Sequence, residues 1–274
     1  YQSRVDTMNN LAQRVTSSTQ NAYSFYLSGV LYESQNKLDD AFIDYKHALA
    51  IAPDNSFLQQ DVLRLATKLK RDDELKGLKP SSIKATPSKA NDGTVVVLYE
   101  EGFVPAKKEI FLPFPWPESW YVLAFPYYGD NWQSPEPLSI SNGLLATAVN
   151  TQVVTDSQAL AARALKDNLV PMLVRQTLRA QTKHKMQQHA NDQGGAILGL
   201  LVGAYNIISE NADLRSWLTL PRFAHIARFN LAEGSQDLML NGFKPIKVSV
   251  QRNKITLLRI VKVDNHFYVA SWPL

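Results

Sequence analysis

AYSFYLSGVLYESQNKLDDAFIDYKHALAIAPDN, residues 22–55, decides how the N-terminal part of this chain folds. Gly29 and Tyr32 stand three residues apart on a first helical stretch. Ala41, Tyr45 and Ala48 follow on a second, at spacings of four and three, so they share one helix face. Gly29 and Ala41 are small enough to let two helices approach closely, and Phe25, Tyr32 and Tyr45 fill the space between them. Pro53 cannot continue a helix and ends the second stretch. The pattern predicts a helix–turn–helix hairpin.

These offsets match a tetratricopeptide repeat, a unit of about 34 residues. Two positions depart from the usual repeat: Phe25 stands where Trp is common, and Ser28 stands where Leu is common, with Leu27 beside it. An unrelated helical hairpin is the alternative. One repeat cannot bury its own face. Residues 1–20 are therefore expected to supply a preceding helix, and Asn55 to Leu69 a following capping helix. Such a unit serves as a docking surface or as a brace between subunits. Phe25, Tyr32 and Tyr45 are its candidate partner-binding residues.

The helical grammar extends from Tyr1 to about Leu69, with Leu11, Val15, Tyr23, Tyr26, Leu27 and Val30 recurring at threes and fours. A polar, Pro-punctuated stretch without apolar period follows and reads as a linker. From Thr94 the pattern is that of strands. Thr94–Tyr99 is a β-branched buried run, and Glu109–Phe114 and Trp120–Tyr127 are separated by prolines that favour edges and turns. Leu138–Ile140 and Leu144–Val149 flank Asn142-Gly143, a two-residue hairpin signal. Helices are expected from Asp156 to about His189, with a kink at Pro171, and from Ala196 to Asn211. Strands return at Phe223–Leu231, Ile246–Val250, Ile255–Val263 and Phe267–Trp272, with turns at Asn241-Gly242 and Asp264-Asn265. The alternation of Ile246, Val248 and Val250 with Lys247 and Ser249 leaves one sheet face wet. The expected fold is α+β: residues 1–75 a tetratricopeptide-type helical domain, 76–93 a linker, and 94–274 an antiparallel sheet domain with a helical insertion.

The 274 residues suffice to bury a core without staples. A 45% apolar, 20% charged composition is that of an ordinary globular chain. Net charge is only +4 and the cations are spread along the chain, which argues against nucleic acid as a partner. The absence of cysteine excludes disulfides and thiolate chemistry in this chain. The apolar run Ala196–Ile208 is shorter than the roughly 20 residues of a membrane span. The first residue is Tyr1, so a signal segment or a lipid-bearing cysteine would lie upstream.

Two further phrases carry a resemblance. They are Val95-Val96-Val97-Leu98-Tyr99-Glu100-Glu101-Gly102-Phe103-Val104-Pro105 and Ala212-Asp213-Leu214-Arg215-Ser216-Trp217-Leu218-Thr219-Leu220-Pro221. With the N-terminal repeat they resemble a family of tetratricopeptide-containing outer-membrane lipoproteins of Gram-negative bacteria. The resemblance implies attachment to the inner leaflet of the outer membrane through an upstream cysteine, hence a periplasmic location. It also implies a genetic association with a lipoprotein activator of penicillin-binding proteins. Read from the residues alone, Ala212–Pro221 is a helix end running into a strand. Asp213 and Arg215 are close enough for a local ion pair, and Trp217 is a core plug or an interface anchor.

Signatures of chemistry are few. Among His47, His184, His189, His225 and His266 no HExxH pattern occurs. His184 and His189 point about 140° apart on a helix. No GxSxG elbow or Walker lysine is present, and no cofactor or metal is expected. Asp130 and Glu136 lie in a Pro- and Trp-rich loop, as acid–base carboxylates or as a solvated surface. Gly195, Gly199 and Gly203 form a smooth helix face for packing within the domain or between subunits, with phosphate binding as a third reading. Arg175, Arg179 and Lys183 form a basic stripe that faces solvent or an anionic surface. Phe111 to Trp120 and on to Trp132 is rich in aromatics and prolines, a rigid patch for protein contact, internal packing or glycan stacking, with Trp116, Trp120 and Trp132 as candidate partner-binding residues.

Together these features predict a non-enzymatic envelope scaffold that binds other lipoproteins or copies of itself. A regulator of a peptidoglycan synthase or of the wall, and a hydrolase with an unfamiliar site, stand as alternatives.

Overall fold

The computed structural model describes residues 2–71, 73, 91–116, 119–129, 133–143, 145, 148–172, 174–175, 182, 212–241 and 245–274. The fold is mixed α+β. Its described elements are α1 (Gln2–Gln13), α2 (Ala22–Ser34), α3 (Leu38–Ile51), α4 (Ser56–Lys68), β1 (Asp92–Phe103), β2 (Lys108–Trp116), β3 (Ser119–Tyr127), β4 (Ser139–Ser141), β5 (Val149–Asn150), β6 (Gln152–Asp156), α5 (Ser157–Asp167), β7 (Pro221–Ala232), β8 (Gly234–Leu240), β9 (Ile246–Val250), β10 (Ile255–Val263) and β11 (His266–Pro273). They fall into two compact units. One comprises Tyr1–Thr19, Pro105–Trp132 and Gln158–Leu218; the other Gln20–Val104, Gln133–Ser157 and Thr219–Leu274. The units cut across the 1–75 and 94–274 segments, because α2, α3 and α4 share a unit with the sheet. Most of the 76–93 stretch lies outside the described residues.

In the second unit, α2 and α3 form the expected hairpin. Asn21 caps α2, its Oδ1 accepting from the Tyr23 and Ser24 amides at 3.0 and 3.3 Å. Gly29 lies under the Tyr45 ring, where a Cβ would sit 2.7 Å from the ring carbons, so no larger residue fits unless the ring moves. Ala41, Tyr45 and Ala48 are fully buried. The α3 helix ends at Ile51, two residues before Pro53. The expected capping helix is α4, which buries Phe57, Leu58, Val62, Leu65 and Ala66 along one face.

The helices pack on a five-stranded sheet of order β11-β10-β1-β7-β6, contacting it through β6 and β7. Side chains alternate across β1. Val96, Leu98 and Glu100 lie level with Arg228, Ile226 and Ala224 of β7 and share the helix-bearing face with them. Val95, Val97 and Tyr99 point to the other face, toward a four-stranded sheet β5-β4-β8-β9. At the start of β1, a Cβ on Gly93 would meet the Gln251 carbonyl and the Val250 side chain, so the backbones touch there. With both faces covered, Val95–Glu101 is buried throughout.

The sheet is antiparallel except for one pair: β1 and β10 run parallel, Thr94 opposite Ile255 through Glu101 opposite Lys262. The wet face of β9 is as read, with Lys247 and Ser249 exposed and Val248 and Val250 buried. The β4–β5 pair matches Ser139 with Asn150 and Ile140 with Val149, so its connection is longer than a two-residue turn at Asn142-Gly143.

In the first unit, β2 and β3 pair from Lys108–Tyr127 to Trp116–Ser119. Glu109–Phe114 and Trp120–Tyr127 are strands as expected, and the ribbon runs on through Trp116 and Ser119 of the stretch between them. Pro113, Pro115 and Pro126 are tolerated because both strands of a two-stranded ribbon are edges. Arg4 of α1 lies 5.6 Å over the Tyr127 ring. The α5 helix stops at Asp167. The chain turns at Asn168 and is helical again at 169–172 and 174–175, so the helix is interrupted just before Pro171, which cannot donate to the Asp167 carbonyl. Asp213 and Arg215 make the expected local ion pair at 2.8 Å. Trp217 is 72% exposed, which removes the core-plug reading. The helix expected at 196–211, the Gly195, Gly199, Gly203 series, Arg179, Lys183, His184, His189, Asp130 and Trp132 all lie outside the described residues.

Candidate interaction surface

A partly buried charge network joins the helical layer to the sheet. Arg228 sits in the middle of β7 and forks onto Glu33 of α2, with both nitrogens at 2.9 Å. Arg64 of α4 forks onto the same carboxylate at 2.7 and 2.9 Å. Both guanidiniums also reach Asp61, at 2.8 and 3.2 Å. The Tyr45 hydroxyl donates to Glu33 at 2.8 Å and accepts from Arg228 at 3.3 Å. Burial would push the Glu33 carboxyl up, but Arg228 and Arg64 outweigh it and hold it down to about 2. Burial pushes the Tyr26 and Tyr45 phenols upward. A second tie runs from Tyr23, which donates to Glu100 at 2.7 Å, to Arg259, which reaches the same carboxylate at 2.7 Å.

At the β6 edge the helix caps double as sheet contacts. Asn55 Oδ1 accepts from the Phe57 and Leu58 amides, and its Nδ2 donates to the Val153 carbonyl at 3.2 Å. Ser56 donates its amide and its hydroxyl to Gln152 Oε1, each at 2.9 Å. Thr155 donates its hydroxyl to Asn21 and accepts from the Tyr23 amide. The strand is also bulged between Val153 and Thr155. Short length, a bulge and covering side chains are the devices that close a sheet edge.

The opposite edge carries none of these devices. No strand among the described residues pairs with the outer side of β11. Its sequence, His266-Phe267-Tyr268-Val269-Ala270-Ser271-Trp272-Pro273, contains no Lys, Arg, Asp or Glu. Tyr268, Val269 and Trp272 are 63%, 38% and 46% exposed. An uncovered, apolar edge is a template for another strand. A cleft of about 900 Å3 opens between the helices and the β1–β7 end, lined in part by Glu33, Leu63, Arg64, Arg228 and Lys254. Its two arginines are already committed to Glu33 and Asp61, so it concentrates less charge than its lining implies.

The residues singled out from sequence are placed unevenly. Tyr45 is fully buried and belongs to the charge network, so it holds the fold and presents no surface to a partner. Phe25 is half-buried and stacks on His47 at 5.2 Å. Tyr32 is half-buried, with the Lys37 ammonium 5.8 Å above its ring. Trp116 and Trp120 occupy β2 and β3, opposite Ser119 and Pro115. Glu136 pairs with Lys262 at 2.5 Å and donates its amide to Glu101. His225 is fully buried, its Nε2 2.9 Å from Glu101. Among the described residues, no cluster of His, Asp and Glu suits a metal ion, and no helix is long and apolar enough to cross a membrane.

Sequence reasoning missed the charge network and the β11 edge. A cue for the first was present: Arg228 stands between Ala227 and Phe229 in a largely apolar strand, and a largely buried cation needs a partner. Set against protein-family models, curated proteins and solved structures, the chain matches none.

Proposed function

We propose that this chain is a non-enzymatic protein-binding scaffold whose contact surface is the open β11 edge. Its α2–α3 hairpin is a tetratricopeptide-type unit, and a sheet takes the place of the next repeat. The observation that carries the reading is the asymmetry of the sheet: one edge is sealed by two helix caps, and the other exposes an uncharged, aromatic strand. The close seat of Gly29 against Tyr45, the buried Ala41 and Ala48, and the stop before Pro53 support the repeat assignment. Phe25, Tyr32 and the β2–β3 tryptophans Trp116 and Trp120 are secondary contact candidates. A periplasmic setting at the outer membrane, with other envelope proteins as partners, rests on the resemblance of the 95–105 and 212–221 phrases.

A photo-crosslinking side chain placed at Tyr268 tests the reading in cells. The scaffold reading expects a protein adduct from position 268 that is lost when Val269 becomes Pro, and none from the exposed Ser235 on β8. No adduct from position 268 overturns it.

A further inference from the structure

The protein-binding reading leaves the occupant of β11 open, and the strand's own pattern names one. On that basis we propose that β11 pairs antiparallel with β11 of a second copy, about a two-fold axis at Ala270, joining two five-stranded sheets into one of ten strands.

The argument starts from which backbone groups face outward. The β10–β11 register matches Thr256 with Pro273 and Arg259 with Ala270. At its end the Leu274 amide donates to the Ile255 carbonyl at 2.8 Å. Antiparallel pairs alternate between bonded and unbonded, so Ala270 and Trp272 turn their backbone groups toward β10, and Val269, Ser271 and Pro273 turn theirs outward. Pro273 agrees with this phase: it lacks an N–H, and the outward side is where a strand tolerates that loss.

A two-fold axis at Ala270 sets Val269 opposite the copy's Ser271, twice. Both residues offer outward N–H and C=O groups, so each pair exchanges two hydrogen bonds. Ala270 meets Ala270, and Tyr268 meets Trp272, at unbonded positions where side chains approach most closely. The large–small–large order Tyr268, Ala270, Trp272 is therefore self-complementary: a small residue sits on the axis, and an aromatic cross-strand pair lies on each side of it.

Charge permits the pairing, because β11 brings no Lys, Arg, Asp or Glu to the axis and the neighbouring Arg259 is neutralised by Glu100. The covered β6 edge keeps the joined sheet from growing at its far ends. Because β11 meets β11, the contact is isologous and closes as a dimer.

Sedimentation equilibrium of the full chain tests the association, and a cysteine tests its register. The expected result is a reversible monomer–dimer equilibrium. Val269→Pro removes one outward N–H from each copy without touching the β10 ladder, and weakens dimerisation about tenfold or more. The chain has no cysteine of its own. Ala270→Cys sets two Cα atoms about 4.5 Å apart on the axis, within disulfide range. It is expected to form a covalent dimer under mild oxidation far faster than Ser235→Cys. A chain that stays monomeric at every concentration, or an Ala270→Cys variant no faster than Ser235→Cys, overturns the proposal. If position 268 then cross-links a different protein in cells, self-pairing alone falls. If it cross-links nothing, the scaffold reading falls with it.

Discussion

The two edges of the same five-stranded sheet have opposite chemistry. The β6 strand is five residues long and bulged, and its Gln152, Val153 and Thr155 are held by groups from the starts of α2 and α4. The β11 strand is eight residues long, carries exposed aromatics and has no neighbour on its outer side among the described residues. A sheet that needed only to avoid aggregation would blunt both edges. Sealing one and leaving the other apolar is the pattern of a sheet built to accept a strand on one side. The seal also explains what holds the helices down: α2 and α4 contact β7, and their caps Asn21 and Asn55 bond to β6.

The largest expected effect comes from cutting the charge network beneath that seal. Arg228→Ala leaves Glu33 and Asp61 beside a single guanidinium, at a cost of roughly 3 to 5 kcal/mol. Thermal unfolding measures the loss. Dimerisation, followed below the melting range, is expected to be unchanged, since Arg228 is remote in the sheet order from β11. If Arg228→Ala leaves stability intact but abolishes association, the separation between the two edges fails.

Acid sharpens the same point. The Glu33 carboxyl is depressed in the folded chain to about 2 from an ordinary 4.5. A depressed acid contributes stability that is fully present above pH 4.5 and is lost as pH falls toward 2, by roughly 2 to 3 kcal/mol. Glu33→Gln should flatten the pH dependence of chemical unfolding in that window. An unchanged acid limb would show that the ion cluster does not hold the helices.

Next in size is Gly29→Leu, which forces a side chain into the Tyr45 ring and should cost about 1 to 3 kcal/mol. An unaltered melting midpoint would sink the packed hairpin. Smallest is Asn55→Ala, which removes a helix cap and the bond to Val153 together, at about 1 kcal/mol. Its signature is local: faster amide exchange in α4 and β6 with β11 unaffected.

How much of this was legible in the sequence follows the range of the interactions. The hairpin was readable because its determinants, Gly29, Ala41, Tyr45 and Pro53, lie within one short window and act through helical spacing. The central strands were readable because Val95–Tyr99 is a continuous apolar run and Phe223–Leu231 is rich in apolar residues, as a covered strand requires. The β8 strand escaped because it opens with Gly234-Ser235-Gln236-Asp237, which scores as turn, and its exposed positions come first. The β6 strand escaped because it runs straight into a helix at Ser157. Strand order is set by contacts with no local trace. Glu33 and Arg228 are 195 residues apart, and the parallel pairing of β1 with β10 spans a similar gap. The edge status of β11 depends on that order, so its composition was visible while its exposure was not.

Concentration-dependent amide exchange at the two edges tests the central claim most directly. With full-length chain studied from dilute to concentrated solution, the account predicts that the Val269 and Ser271 amides exchange rapidly when dilute. They should become protected as the concentration rises, while no amide of β6 changes. Val269 and Ser271 already protected at the lowest concentration, or a gain in protection that falls on β6 instead of β11, would contradict it.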